Sequence, residues 1–307
     1  MKIVVVGSSN TDMVIQTGNL PMPGETILGG EFFMNPGGKG ANQAVAASRL
    51  GGDVAFISKT GNDIFGEQSV ENLRKEGVNT ENMVVDKENP SGVALITVDS
   101  KAENCIVVAP GSNMTLNPDD IDKAIEQIEK AEIMLLQLEI PIETVEYAAQ
   151  IAFRNKKKVI LNPAPAQKLS DSILKTINIL TPNETEAEIL TGVKVTNIET
   201  AEEAAQILKN RGVEIVIITM GANGAFIHTN RLSELIPAPE VKAVDTTAAG
   251  DTFNGALAVA VSDGVNIREA VQFANKAASI TVTRLGAQAS TPCRAELHSA
   301  GKKQNQY

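Results

Sequence analysis

Residues 243–257 run Ala-Val-Asp-Thr-Thr-Ala-Ala-Gly-Asp-Thr-Phe-Asn-Gly-Ala-Leu. Ala248, Ala249 and Gly250 carry almost no side chain, so a ligand can come close to this backbone. The apolar run that follows has helical spacing and predicts a helix over 250–261. A helix starting near Gly250 turns its first free N–H groups toward whatever lies there, and such an end favours anions. Asp251 falls in that first turn. A carboxylate beside an anion site is electrostatically odd unless it handles a proton. Donors for a transferring group next to a base for a hydroxyl are what phosphoryl transfer to an alcohol needs. The plain alternative is an aspartate capping a helix after a small-residue turn.

Other stretches carry related chemistry. Pro36-Gly37-Gly38-Lys39-Gly40-Ala41-Asn42-Gln43 opens a helix that runs to about Leu50. Its glycine pair lets backbone approach a ligand, and Lys39 and Asn42 lie one turn apart. A P-loop would need glycine at 33 and Ser or Thr at 40, where Phe33 and Gly40 stand. Asn10 and Asp12 occupy a polar loop, 7–12, after an apolar strand over 2–7. Ligands in open α/β sheets bind at that end of a strand. An amide beside a carboxylate suits vicinal hydroxyls, or simply an Asx turn. Only Gly7 of a dinucleotide fingerprint is present, which weakens a dehydrogenase reading. Glu139 follows a strand over 133–138. Asn183 and Glu186 have the spacing of a capping box. Thr219-Met220-Gly221-Ala222-Asn223-Gly224 is a Gly-spaced loop that could hug phosphates or a ribose.

Three of these stretches, 243–257, Gly37–Gln43 and Thr181-Pro-Asn-Glu-Thr-Glu186, stand in the order seen in the ribokinase-like sugar kinases of the phosphofructokinase-B type. The chain resembles that family over nearly its whole length. The resemblance implies an ATP-dependent kinase, with the 5-hydroxyl of D-ribose as the leading acceptor. Deoxyribose, fructose, a keto-deoxy acid or a nucleoside are the alternatives, and the 3% aromatic content argues mildly against a nucleoside. It implies Asp251 as base, with Ala249 and Gly250 stabilising the γ-phosphoryl charge. Asn10, Asp12, Gly37, Gly38, Lys39, Asn42 and Glu139 would hold the sugar. Asn183, Glu186, residues 219–224, Gly250 and Asn275 would hold ATP, with Glu186 acting on Mg²⁺ through water. A K⁺ site is implied near Asp245, Thr247, Thr281, Arg284, Gly286 and Ser290. A β lid from about 12–35 and 91–110 is implied over the sugar, as is a homodimer through it. A catalytically dead sugar-binding protein is the reading from another class, and Asp251 with Gly250 counts against it.

The elements that would position these residues alternate strand and helix, and they predict one α/β domain over 1–307: a mostly parallel sheet with helices on both faces. Strands are expected at 54–59, 159–162, 177–180 and 215–219. Helices are expected at 64–76, 117–130, 141–154, 199–210 and 267–284. Short strands near 13–15 and 27–33, with a hairpin at 93–98 and 105–109, would form the lid. The 307 residues suffice for a large core, and no apolar run approaches a membrane span. The N-terminal apolar segment is too short for a signal peptide, so the cytoplasm is expected. A net charge of −10 with no basic cluster makes a poor nucleic-acid binder. Cys105 and Cys293 fit no metal or redox spacing, and His228 and His298 read as structural or surface residues. The tail 301–307 reads as frayed.

Overall fold

Ile3-Val-Val-Val6 has no polar position, and it forms a fully buried strand in the middle of the larger sheet. The computed structural model describes residues 2–101 and 103–299, without the side chains of 298 and 299. The His298 side chain and the tail 301–307 lie outside those residues. In chain order the elements are β1 (Ile3–Val6), β2 (Asn10–Gln16), β3 (Glu31–Gly37), α1 (Lys39–Arg49), β4 (Val54–Gly61), α2 (Ile64–Lys75) and β5 (Met83–Asp86). Then come β6 (Gly92–Val98), β7 (Asn104–Ala109), α3 (Pro118–Lys123), α4 (Ile125–Lys130), β8 (Ile133–Leu136), α5 (Ile142–Arg154), β9 (Lys158–Leu161) and α6 (Asp171–Leu174). The remainder is β10 (Ile179–Leu180), α7 (Glu184–Thr191), α8 (Ile198–Asn210), β11 (Ile215–Thr219), β12 (Ala225–His228), β13 (Ser233–Ile236), α9 (Ala249–Ser262), α10 (Ile267–Thr281) and α11 (Arg294–Ser299).

Nine strands form one sheet in the order β13-β12-β11-β10-β9-β8-β1-β4-β5. Its pairs are parallel except at β11–β12 and β12–β13. Successive side chains alternate between two cores. Val4, Val6, Met134 and Leu136 face the helices from α3 to α8. Ile3, Val5, Ile133 and Leu135 face α1, α9 and α10. Helices therefore cover both faces, as the strand–helix alternation predicts. A second sheet of four strands, β3-β2-β6-β7, grows directly out of the first, since β2 follows β1 after a short link.

Several expectations needed correction. The segment 7–12 is not all loop: Asn10 already pairs with Gly37 and Gly92, and Asp12 with Asn35 and Ala94. Two polar side chains hid a strand whose hydrogen bonds come from both neighbours. The strand expected at 27–33 begins only at Glu31, because Gly29 and Gly30 adopt φ of 103° and 112°. The helix expected over 117–130 divides at Ala124, with φ −100° and ψ 12°. Ile121, Ala124 and Ile128 stay buried across the break, so the apolar spacing concealed it. Helix α10 stops at Thr281 rather than 284. Strands β5, β12 and β13 and the short helices α6 and α11 were not anticipated.

Helix packing sets the distance between the two stretches singled out above. A Cβ on Gly255 would lie 2.7 Å from Ala46 Cβ and 2.8 Å from the Ala47 nitrogen. Glycine at 255 therefore lets α9 lie against α1 backbone to backbone. One turn earlier on the same face of α9 is Asp251.

Candidate active site at the start of helix α9

The Asp251 carboxylate is buried between α9 and α1, with 6% of its surface exposed. Asn42 Nδ2 donates to its Oδ2 at 3.0 Å, and Gln43 Nε2 donates to its Oδ1 at 3.0 Å. Asn42 in turn accepts from Gln288 Nε2 at 3.2 Å. A buried carboxylate needs such donors to stay ionised. Asp251 is the third residue of α9 and caps nothing, which removes the capping alternative.

The end of α9 is open. Ala248 holds φ 57°, a left-handed conformation that costs a non-glycine residue about 1 kcal/mol. No side chain caps this helix, whereas Asp63, Asn117, Asn183, Asn197 and Asn266 each cap theirs. Ala249 N–H turns back to Thr246 O at 3.3 Å; among the described residues the Gly250 and Asp251 N–H groups have no partner. A Cβ on Gly250 would meet nothing within 4 Å, and its φ is not positive. Neither packing nor backbone conformation requires glycine there. The space in front of it does: it opens into a cleft of about 500 Å³.

Ala249 and Gly250 line that cleft together with Asn183, Thr219, Gly221, Ala222, Gly224 and Asn275. A backbone bridge between Asn183 and Thr219 brings the two loops together. Met220 turns into the core and Asn223 stays on the surface, so those two do not line it. Asn275 gives its amide to Ile236 O at 2.9 Å and Pro237 O at 3.4 Å, which leaves only its Oδ1 for a ligand. The sequence reading missed the opposite wall, Pro239, Val241, Phe253 and Val282, because isolated apolar residues carry no signal. Glu186 completes a capping box with Asn183 through one oxygen, Oε2. Burial pushes its carboxyl above the usual range.

On the other side of Asp251 lies a polar cradle. Glu139 Oε2 accepts from the Lys39 N–H at 2.9 Å, anchoring the start of α1, and from Ser8 Oγ at 2.5 Å. Gly38 sits at φ 88°, where a Cβ would lie 2.8 Å from the Asn10 nitrogen. Gly37 faces the Asp12 carboxylate, 2.3 Å from where its Cβ would be. Asn10 accepts from Asn113 Nδ2 at 2.7 Å, so its own amide N–H groups point outward. Asn113, missed from sequence, lies in the short helical turn at 111–115 after β7 and also holds both backbone groups of Ser9. No donor among the described residues reaches the Asp12 carboxylate. Burial, then the charges of Glu139 and Asp251, push Asp12 up to about 6. Asp251, then Glu139, Glu186 and Asp12, hold the Lys39 ammonium above its ordinary range against its burial. One cation thus faces four carboxylates.

Behind the anion end, Asp245 accepts from Thr247 N at 2.9 Å and from Gly286 N at 2.9 Å. Those bonds outweigh burial and hold it below its usual range. The Thr281 hydroxyl goes to Thr252, the Ser290 hydroxyl to Ala287 O, and the Arg284 guanidinium to Glu296. A hydroxyl that donates keeps its lone pairs, so Thr281 and Ser290 offer hydroxyl as well as backbone oxygens to a cation, whereas Arg284 offers only its backbone oxygen. Cys105 and Cys293 are both exposed, and His228 is held structurally between Ser233 and Gln206 at 3.1 Å each.

Residues 1–294 match the family described as pfkB family carbohydrate kinase. The chain belongs to that family. It is 46% identical to a ribokinase of Haemophilus influenzae over 96% of each chain. It is 39% identical to a deoxyribokinase of Salmonella typhi, over 95% of this chain and 96% of that one. The structure of an Arabidopsis thaliana ribokinase complexed with ribose and ATP superposes with a TM-score of 0.90 at 32% identity, covering 97% of each chain.

Replacing Gly250 by alanine tests the open helix end. The methyl group enters the cleft and touches no protein atom. Gly250→Ala is expected to keep or slightly raise the melting temperature. It is expected to lower kcat by at least about 10²-fold, measured by ADP release. A variant as active as the parent would mean that no ligand approaches this backbone.

Proposed function

We propose that this chain transfers the γ-phosphoryl group of ATP to the 5-hydroxyl of D-ribose. One juxtaposition carries this reading: the buried Asp251 carboxylate stands between an uncapped helix end that opens into a cleft and a cradle of unpaired hydroxyl-binding groups. The sugar lies in the cradle. Asn10 N–H donates to a hydroxyl oxygen, and the neighbouring hydroxyl donates to Asp12. Glu139 and Lys39 fix the start of α1, and Gly37 and Gly38 let the ring come close. Asn42 is chiefly a holder of Asp251, since its amide and carbonyl both have protein partners.

Asp251 takes the 5-hydroxyl proton as the oxygen attacks the γ-phosphorus, and the bond to the ADP oxygen breaks. The free N–H groups of Gly250 and Asp251 and the backbone of Ala249 receive the charge that develops on the phosphoryl oxygens. The triphosphate lies along Asn183, Thr219 and Gly221, with adenine against the apolar wall. Mg²⁺, when bound, would supply positive charge against the phosphates. The site suits it, because four carboxylates and one lysine would otherwise repel a polyphosphate, and Glu186 Oε1 is free to hold a metal-bound water.

Asp251→Asn keeps the shape and removes the base. Its kcat is expected to fall by at least about 10²-fold while ATP binding persists. The 39% identical deoxyribokinase makes 2-deoxyribose the second reading. A cradle built for paired hydroxyls leaves its own groups unpaired when one is missing, so ribose should exceed 2-deoxyribose in kcat/KM by at least about 10²-fold. Equal use of the two sugars in a competition assay would decide for the second reading.

K⁺ fits the loop tied together by Asp245 and Gly286, where Thr247, Thr281, Arg284 and Ser290 offer backbone oxygens. Bound there it would stiffen the turn before α9. Activity in K⁺ should exceed that in a bulky organic cation at equal ionic strength; identical rates would count against the site. The four-stranded sheet serves as the lid. The face away from Asp12 carries Ile15, Phe32, Met34, Leu95 and Val107, in cross-strand register and all exposed. A second copy of the chain is its proposed cover. Light scattering at micromolar concentration should give a dimer mass, and a monomer would overturn this. A cytoplasmic site accords with the ATP requirement and the exposed thiols. No helix among the described residues is long and apolar enough to cross a membrane.

A further inference from the structure

Asp251 has a second donor that the reaction outlined above does not use. Gln43 is fully buried, one residue beyond Asn42 on α1. Its amide nitrogen has two hydrogens, and the structure gives both a destination: Asp251 Oδ1 at 3.0 Å and Asn162 Oδ1 at 3.0 Å. Its carbonyl accepts from Gln137 Nε2 at 2.7 Å. Asn162 then donates to the backbone carbonyl of Thr181 at 3.3 Å. A backbone carbonyl can only accept, so it fixes the direction of the whole chain. Asn162 must turn its nitrogen toward Thr181 and its oxygen toward Gln43. Gln43 must then present its nitrogen to both Asn162 and Asp251, and Gln137 supports that from the other side. The Thr181 hydroxyl continues to Asn254 at 2.6 Å, and Asn254 donates to Gly250 O at 2.8 Å. The chain of amides therefore joins the carboxylate to the helix end beside it. Among the described residues the Oε1 of the fully buried Gln137 has no donor.

We propose that Gln43 is a positioning residue for the phosphoryl transfer, holding the Asp251 carboxylate in place through Oδ1, with Gln137 and Asn162 locking the direction of its amide. This rests on Asp251 being the base. The charged groups that face Asp251 are Lys39 on α1, Asp12 on β2 and Glu186 on α7, with Glu139 after β8 acting on the first two. Among the described residues no hydrogen bond joins any of their side chains to the Gln43 amide, so removing its donor breaks none of their bonds. A carboxylate that loses one of two donors to its ionised form is protonated more readily.

Gln43→Met keeps size and removes the donor. At saturating ribose and MgATP, kcat is expected to fall at least about tenfold, and the acid limb of its pH profile to move up by about one unit. Both KM values should stay within about threefold, as for an interaction made in the transition state. Titration of Asp12 in the free enzyme would appear in kcat/KM for ribose, so the kcat profile separates the two groups. In an Asp251→Asn background the Gln43→Met change should cost nothing further. A kcat profile superimposable on that of the parent, or a full additional loss in the Asp251→Asn background, overturns the assignment. Gln137→Met, which removes the donor that locks Gln43, gives the same test should Gln43→Met not fold: its acid limb moves the same way by a smaller amount, and an unmoved limb overturns the proposal. Failure of Asp251→Asn itself to lose activity would instead strike the base assignment, so the two ideas fail separately.

Discussion

A buried carboxylate stands in the first turn of an uncapped helix, out of water, and must find its hydrogen bonds within the protein. Everything else in this molecule answers that constraint. Like charges at short range in a poorly hydrated site repel by several kcal/mol unless donors and counter-charges surround them. Asn42 and Gln43 supply one donor to each oxygen of Asp251. The unpaired N–H groups of Gly250 and Asp251 stand at the start of α9, where Ala249 and Gly250 line the cleft. Lys39 is the one cation held between the carboxylates, its charge favoured by all four of them. Among these groups negative charge remains in excess, since four carboxylates stand around one ammonium.

The donors reach Asp251 only because two helices lie unusually close. Adjacent residues on a helix diverge by about 100°, so Asn42 and Gln43 can grip one carboxylate only from very short range. Gly255 provides that range, with backbone of α1 where its side chain would be. The glycines at 38 and 255 thus act by what they permit others to touch. Gly250 differs from them. A side chain there would meet no other part of the protein, only the cleft.

Much of this was legible in the chain itself. The uncluttered turn before Asp251, the glycine pair before Lys39 and the strand–helix rhythm all act locally, and local patterns survive in sequence. What escaped notice was set by distant partners. Asn113 lies 103 residues from Asn10, and nothing near it in the chain hints that it turns the Asn10 amide outward. Gln43 stood inside a stretch already singled out, yet its role depends on Asn162 and Gln137, which look like ordinary polar residues at strand ends. Asn275 illustrates the reverse error. Its position facing the cleft was foreseen, but its amide is committed to the carbonyls of Ile236 and Pro237. A polar residue near a site is not yet a ligand of it until its other hydrogen bonds are counted.

The two sheets divide the work along the same line. Asn10 and Asp12 stand on β2, which belongs to the four-stranded sheet, whereas Asp251 stands on a helix packed against the nine-stranded one. The joint between the sheets is firmly tied. Asn113 grips Ser9 and Asn10, and Asp63 holds Ser91 by both its N–H at 2.8 Å and its hydroxyl at 2.6 Å. Asp12, two residues beyond Asn10, has no such tie. A group at the joint is held at fixed distance from the base, while one farther out is free to answer the ligand. Asn10 is thus suited to set where a hydroxyl must be. Asp12, raised to about 6 by burial and by the charges of Glu139 and Asp251, has no donor among the described residues.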